Sequence, residues 1–357
     1  MLYRFFIKPN KPCPKGVYIK KALFLAARLR KSQNMKEAVI GIDIGGTFTK
    51  YGIVDREGNC LAESFTNTST HNNFDDYLRD LHIAIEGSMQ FLKGQINIMG
   101  VGIGAPNGNY YAGSIENAVN LNWRGTIPVV EKMRKYYPGL PIALTNDANA
   151  AAIGEMVFGG AKNMKDFVVI TLGTGLGSGI VAGGNLVYGH DGLAGELGHI
   201  IALANGRDCA CGRKGCLEAY ASASGIRRTV YFLLAERMID SELRKVCFND
   251  LTAKMISEAA EHGDKIAVET FEYTGLILGS KLADTVAHTS PEAIFLLGGL
   301  ANSKELIINP TQKYMEESLL PIFKNKVKIL LSSLPDMNAG VLGAGALVWN
   351  ELDRKKS

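Results

Sequence analysis

Asp43-Ile44-Gly45-Gly46-Thr47 follows an apolar, β-branched run from Ala38 to Ile44. Adjacent glycines let backbone N–H groups close on phosphate oxygens with no Cβ in the way, and Thr47 adds a hydroxyl donor. Asp43 is placed to hold Mg²⁺ near those phosphates, with Lys50 a few residues on. The segment is not a Walker loop, because no G-x-x-x-x-G-K-[ST] occurs. Alone it reads more readily as a plain hairpin turn. A second glycine turn, Gly173-Thr174-Gly175-Leu176-Gly177, shifts the reading to a nucleotide clamped between two such turns. Gly298-Gly299 closes another apolar strand and leaves room for adenosine against the backbone.

Asn146-Asp147 follows the short strand pattern Ile142-Ala143-Leu144. Both residues are good helix N-caps, and an Asp at such a junction is also well placed to take a hydroxyl proton. Glu196-Leu197-Gly198-His199, Cys209-Ala210-Cys211 and Cys216-Leu217-Glu218 bring one imidazole and three thiols into an H-x9-C-x-C-x4-C spacing. Those donors favour Zn²⁺, and four protein ligands leave no open position, so the metal is structural. Glu196 and Glu218 flank it and offer acceptors for neighbouring sugar hydroxyls. Asn117 and Asn120, in the polar run before Trp123, offer amides to the same end. Two carboxylates alone would also fit glycoside hydrolysis. The two glycine turns favour ATP-dependent phosphoryl transfer to a sugar hydroxyl, in which a positioned base and electrostatic stabilisation of the phosphates do most of the work.

The elements that must position these groups form a repeating series. Ala38 to Ile44, Lys50 to Val54 and Cys60 to Phe65 read as strands, followed by a helix over Phe74 to Lys93 and a strand over Ile98 to Ile103. Phe167 to Leu172, Ser178 to Ala182 and Leu186 to Tyr188 repeat the order strand, glycine turn, strand, turn, strand. At an offset of about 128 residues Asp43 falls on Thr171 and Gly45 on Gly173, and a one-residue slip then places Gly52 on Gly179. Helices follow over Ile256 to His262 and Lys265 to His288, strands over Ala293 to Leu297 and Val327 to Leu331, and a last helix over Ala339 to Leu352. The expected division is an extension over 1–36, an α/β domain over 37–145, a second over 146–338 carrying the sugar, zinc and adenosine sites, and a helix over 339–357 returning to the first. The glycine turns are expected to stand apart from the metal loop.

A chain of 357 residues with 46% hydrophobic content suffices for two cores of ordinary size. A net charge of +4 makes no case for nucleic acid as the main partner. No run reaches the roughly 18–20 apolar residues of a membrane span. Cys13, Cys60 and Cys247 are scattered and form no disulfide framework, which favours the cytoplasm. Val17 to Arg30 reads as a short basic amphipathic helix; as a signal peptide it is a weak match, because Lys20, Lys21, Arg28 and Arg30 interrupt its apolar run. Met35 is the expected start of the folded part, with residues 1–34 dispensable.

Taken together, Asp43 to Thr47, Asn146-Asp147, the E-x-G-H at Glu196 to His199 and the stretch Cys209 to Glu218 resemble the ROK family (repressors, open reading frames and sugar kinases) over roughly Glu37 to Trp349. The resemblance implies an actin-like ATPase (ribonuclease H-like) fold of two α/β domains around a cleft holding ATP and Mg²⁺. It implies that Asp147 takes the proton of the sugar 6-hydroxyl, that Asn146, Glu196, His199 and Glu218 hold the hexose, that His199 also ligates zinc, and that the chain forms a homodimer or homotetramer. Cys216 to Ser222 looks most like the glucokinases of that family. Gly104-Ala105-Pro106-Asn107 departs from the Pro-Gly-Pro-like turn of many members, which leaves N-acetylhexosamine, mannose and fructose open as substrates. A sugar-responsive repressor is the alternative of another class. It needs a helix-turn-helix domain, whereas one basic helix precedes Glu37.

Overall fold

The computed structural model describes residues 35–335 and 338–355. The basic helix read at 17–30 lies outside the described residues. The strands are β1 (Lys36–Ile44), β2 (Phe48–Asp55), β3 (Cys60–Asn67), β4 (Ile96–Ala105), β5 (Gly108–Asn109), β6 (Ser114–Glu116), β7 (Thr126–Ile127), β8 (Ile142–Asn146), β9 (Phe167–Leu172), β10 (Leu176–Ala182), β11 (Asn185–Leu186), β12 (Ala293–Leu297) and β13 (Lys328–Leu331). The helices are α1 (Phe74–Gln90), α2 (Val129–Met133), α3 (Asp147–Val157), α4 (Glu218–Ala221), α5 (Ala223–Glu236), α6 (Ala253–Glu261), α7 (Lys265–Thr289), α8 (Glu305–Ser318) and α9 (Ala339–Arg354). Caps set several boundaries. Asn73 accepts from the Asp75 and Asp76 amides to open α1, and Asp264 accepts from Ile266 and Ala267 to open α7. Ser290 ends α7 in a left-handed conformation just before Pro291.

Two five-stranded sheets share one topology. The first runs β3-β2-β1-β4-β8 and the second β11-β10-β9-β12-β13. In each, the first three strands pair antiparallel and the remaining pairs are parallel. The one-residue slip in the internal repeat has a simple cause. Ile44 pairs with Thr49, so Gly45 to Phe48 make a four-residue turn; Leu172 pairs with Leu176, so Gly173 to Gly175 make a three-residue one. Gly41 opposite Gly52 then matches Val169 opposite Gly179. One expected strand differs: the third strand of the second unit stops at Leu186, and Tyr188 leaves the sheet to stack on Tyr110 with ring centroids 4.2 Å apart.

Between the sheets, α3 and α9 pack on small residues. A Cβ on Gly343 would fall 2.5 Å from the Ala150 carbonyl oxygen, and one on Gly154 would lie 3.1 Å from the Gly343 Cα. The same economy seats each helix on a sheet. A Cβ on Gly52 would meet Val341 at 2.9 Å, and one on Gly179 would meet Ala152 at 2.6 Å. Three buried clusters result: one around β1, β4 and α1, one between β9 and helices α5 to α8, and one spanning α3, α9 and both sheets.

Candidate active site

Ligands of open α/β sheets gather at the carboxyl ends of parallel strands. Here β1 ends at Asp43 and the first glycine turn, β8 at Asn146 and Asp147, β9 at the second glycine turn, and β12 at Gly298-Gly299. The first turn closes through the Gly45 amide donating to the Phe48 carbonyl at 3.0 Å. Its Thr47 carbonyl accepts from the Thr68 amide at 2.8 Å. Gly46 lies against the backbone of Asn120: an added Cβ would fall 2.5 Å from that carbonyl oxygen. Asn120 thus meets the first turn through its main chain. Asn117 sits in a left-handed conformation with its amide bonded to Gly125, and Trp123 is a buried core residue donating to the His71 carbonyl.

The second turn is tied down differently. Ala223 at the start of α5 donates to the Gly173 carbonyl at 2.8 Å, and Ser224 Oγ donates to Thr174 O at 3.0 Å. Nothing lies within 4 Å of a Cβ built on Gly173 or Gly299, so both face open space. Beside Gly298, which has φ +105°, a cavity of about 260 Å³ is lined by Leu297, Ala301, Asn302, Leu331, Ser332 and Leu334 among others.

The acidic groups converge. Lys50 stands opposite Asp43 across the β1–β2 ladder. Burial pushes the Asp43 carboxyl up to about 6, helped by the nearby Asp147 charge and opposed by Lys50. The first turn of α9 presses on the same carboxyl, since a Cβ on Gly340 would overlap it. Asp147 opens α3, and its Oδ1 accepts from the Ala148 amide at 2.8 Å, shared with Asn146 Oδ1 at 2.9 Å. The residue is open to solvent, while protein crowds around its carboxyl. Crowding by protein therefore dominates and raises its pKa, against the Ala148 hydrogen bond. Glu196 is also raised, by burial first and by Asp147 and Glu218, while His199 opposes. Asp43, Asp147, Glu196, His199 and Glu218 therefore share one electrostatic neighbourhood.

The ligand atoms of His199, Cys209, Cys211 and Cys216 lie within 4.8 Å of one another. His199 Nδ1 is 3.8 Å from Cys209 Sγ, and Cys211 and Cys216 sulfurs are 3.6 Å apart without forming a disulfide. Zn–S bonds of about 2.3 Å in a tetrahedron put sulfurs roughly 3.8 Å apart, so the cluster fits a zinc ion. Arg207 anchors the base of this loop, its guanidinium donating to Ala219 O, Gly225 O and Thr229 Oγ1 and stacking over Tyr220.

The expected separation of glycine turns from metal loop does not hold. Glu218 Oε2 accepts from the Leu176 amide at 2.9 Å, while Oε1 lies 3.6 Å from Cys209 Sγ. The isolation of the turns in sequence concealed this, because β10 and the cysteine loop meet only in three dimensions. Two positioning residues also escaped the sequence reading. Ser178 Oγ donates to Gly195 O and accepts from the Leu197 amide, bracketing Glu196. Asn109, on the first sheet's side, donates to Asp191 O at 2.8 Å. Nothing in their local sequence distinguishes a strand Ser or a turn Asn.

A family model described as the ROK family matches residues 39–351. The chain is 35% identical to a glucokinase of Streptomyces coelicolor, over 86% of this chain and 96% of that one. A solved ROK family glucokinase from Streptomyces griseus, in complex with glucose and AMPPNP, superposes with a TM-score of 0.73 at 33% identity, covering 87% and 98% of the two chains. A ROK family transcriptional regulator, a homolog of the E. coli MLC protein, superposes with a TM-score of 0.80 at 27% identity, covering 89% and 79%.

Proposed function

This chain belongs to the ROK family, and on that premise we propose that it is an ATP-dependent sugar kinase that phosphorylates the 6-hydroxyl of glucose. The observation that carries the reading is the convergence of Asp43 and Asp147 at the ends of β1 and β8, with Glu196, His199 and Glu218 beside them. The likeness to glucokinases at higher identity than to the regulator favours catalysis over transcriptional control.

Asp147 is the base. A carboxyl raised by burial is a stronger proton acceptor than an ordinary one, and it accepts the hydroxyl proton as the oxygen attacks the γ-phosphorus of ATP, whose bond to the bridging oxygen breaks to release ADP. Asn146 shares the cap of α3 and so fixes where Asp147 points. Asn146, Glu196, His199 and Glu218 hold the hexose, with Asn117 and Asn120 at its edge. The amides of Gly45, Gly46 and Thr47 and of Gly173, Thr174 and Gly175 face the phosphates, and adenosine lies by Gly298 and Gly299. Asp43, with Lys50 opposite, would hold the Mg²⁺ that accompanies ATP and offsets phosphate charge. His199, Cys209, Cys211 and Cys216 would hold a structural Zn²⁺, which fixes the imidazole so that its other nitrogen meets a sugar hydroxyl.

Grouped free thiols fit a reducing cytoplasm, and no helix among the described residues is long and apolar enough to cross a membrane. A homodimer or homotetramer is the expected assembly, to be read by light scattering. ADP release measured across glucose, mannose, fructose and N-acetylhexosamines tests the substrate. Glucose should give the highest kcat/KM; a preference for an N-acetylhexosamine, or no turnover with any sugar, would overturn the reading.

A further inference from the structure

Glu155 is wholly buried near the end of α3, two turns beyond Asp147. It is the only acidic side chain in that helix after Asp147. Its Oε2 accepts from the Gly160 amide at 2.8 Å, and Ser332 Oγ donates to its Oε1. Ser332 belongs to the segment after β13, where its amide donates to Leu296 O at 2.8 Å and its hydroxyl accepts from the Leu334 amide at 3.1 Å. Leu296, Ser332 and Leu334 all line the cavity beside Gly298.

One helix therefore carries the proposed base at its start and, at its far end, a carboxylate fastened to the wall of the cavity assigned to adenosine. A buried carboxylate is costly unless its hydrogen bonds are satisfied. Leu or Met would fill the space without that cost. The hydroxyl of Ser332 needs a strong acceptor, and Glu155 supplies it across 177 residues of sequence. Helix α3 is a continuous element from Asp147 to Val157, and its small face puts Ala150 and Gly154 in backbone contact with α9.

We infer that the Glu155–Ser332 contact is a positioning device for the phosphoryl-transfer reaction: it locks helix α3, and so Asp147, to the nucleotide-cavity wall, so that a seated adenosine and an aligned base stabilise each other. This rests on the kinase reading above. Neither residue is a catalytic residue, since neither reaches the reacting atoms. The linkage is reciprocal, as any coupling between two binding events is. Loosening the contact weakens nucleotide binding and misplaces the base, while the sugar contacts of Glu196, His199 and Glu218 stay formed.

The test uses the full chain with Ser332→Ala, Glu155→Ala and Glu155→Gln. Gln keeps the span, because its carbonyl oxygen can accept from Gly160 and its amide can donate to Ser332 Oγ. Calorimetry gives the Kd for a non-hydrolysable ATP analogue and, separately, for glucose without nucleotide; neither needs turnover. Steady-state kinetics give kcat. Ser332→Ala and Glu155→Ala should each weaken the analogue and lower kcat by about fivefold or more, with the glucose Kd held within about twofold and Glu155→Gln within about twofold of the parent throughout. Should Glu155→Ala fail to fold, Ser332→Ala decides. Unmoved nucleotide affinity and kcat in Ser332→Ala overturn the inference, as does a uniform loss that includes glucose. A parent protein that binds the analogue but turns over no sugar would instead defeat the kinase reading, and the two failures are distinct.

Discussion

Glu218 joins the metal loop to the second glycine turn: one of its oxygens holds the Leu176 amide at 2.9 Å and the other lies 3.6 Å from the Cys209 sulfur. A carboxylate that spans both cannot respond to one alone.

The first prediction follows from that span. Cys211→Ser should lose bound zinc and weaken glucose affinity by about tenfold or more, with nucleotide affinity falling by a smaller factor of roughly three as Glu218 releases the turn. Metal analysis with separate glucose and nucleotide titrations decides it. Zinc loss with unchanged glucose affinity would make the metal a mere staple. Unchanged nucleotide affinity would show that Glu218 holds the turn without the metal's help, through the Arg207 anchor.

The second concerns Asp147. Asp147→Asn keeps a capping side chain at the start of α3, so thermal stability and glucose binding should persist while kcat falls about 10²-fold or more. Turnover near that of the parent would remove Asp147 from the chemistry.

The third concerns pH. Burial pushes Asp43 up to about 6 and raises Asp147 as well, so kcat/KM should fall as pH drops through about 6. An ordinary carboxylate would defer that limb to about pH 4. The stability sign runs the other way. A folded-state pKa above the unfolded value means that the folded protein binds the extra proton, so stability declines as pH rises from about 4 to 6. Asp43→Asn should therefore gain up to about 3 kcal/mol at pH 7, gain nothing below about pH 4, and lose most activity. Denaturant titrations at both pH values check it; an equal gain at both would point to a cause other than ionisation.

The fourth separates the two glycine turns. Gly173 faces open space, so Gly173→Val should fold normally and raise the KM for ATP by about tenfold or more. Gly46→Val is the poorer probe, because its side chain meets the Asn120 carbonyl before any phosphate and should lower Tm as well. An unaltered KM in Gly173→Val would make the second turn structural.

Much of this was legible in the sequence because it is local. The strands Phe167–Leu172 and Ala293–Leu297 are largely apolar runs that each end at a glycine, and their limits agree with the structure. The duplicated strand-turn-strand order was visible down to its slip, since the two glycine turns differ by one residue in length. The zinc ligands share one 18-residue stretch. Glu155 was invisible because a lone Glu in a helix reads as solvent-facing; the signal that stood in the sequence was its place in an otherwise small and apolar α3, beginning Asp147-Ala148-Asn149-Ala150-Ala151. Glu218's double role and the contact of Asn120 with Gly46 depend on loops from distant segments, which no periodicity records.

Helices α3 and α9 meet backbone to backbone at two points, Gly343 against Ala150 and Gly154 against Gly343. Such a seam has no rotamers to unlatch. Contact of that kind favours shear, a small translation along smooth surfaces, over a swing about a flexible loop. A mutation that enlarges Ala150 or Gly343 would then act as a wedge, and its signature would be slowed closure around substrates that still bind.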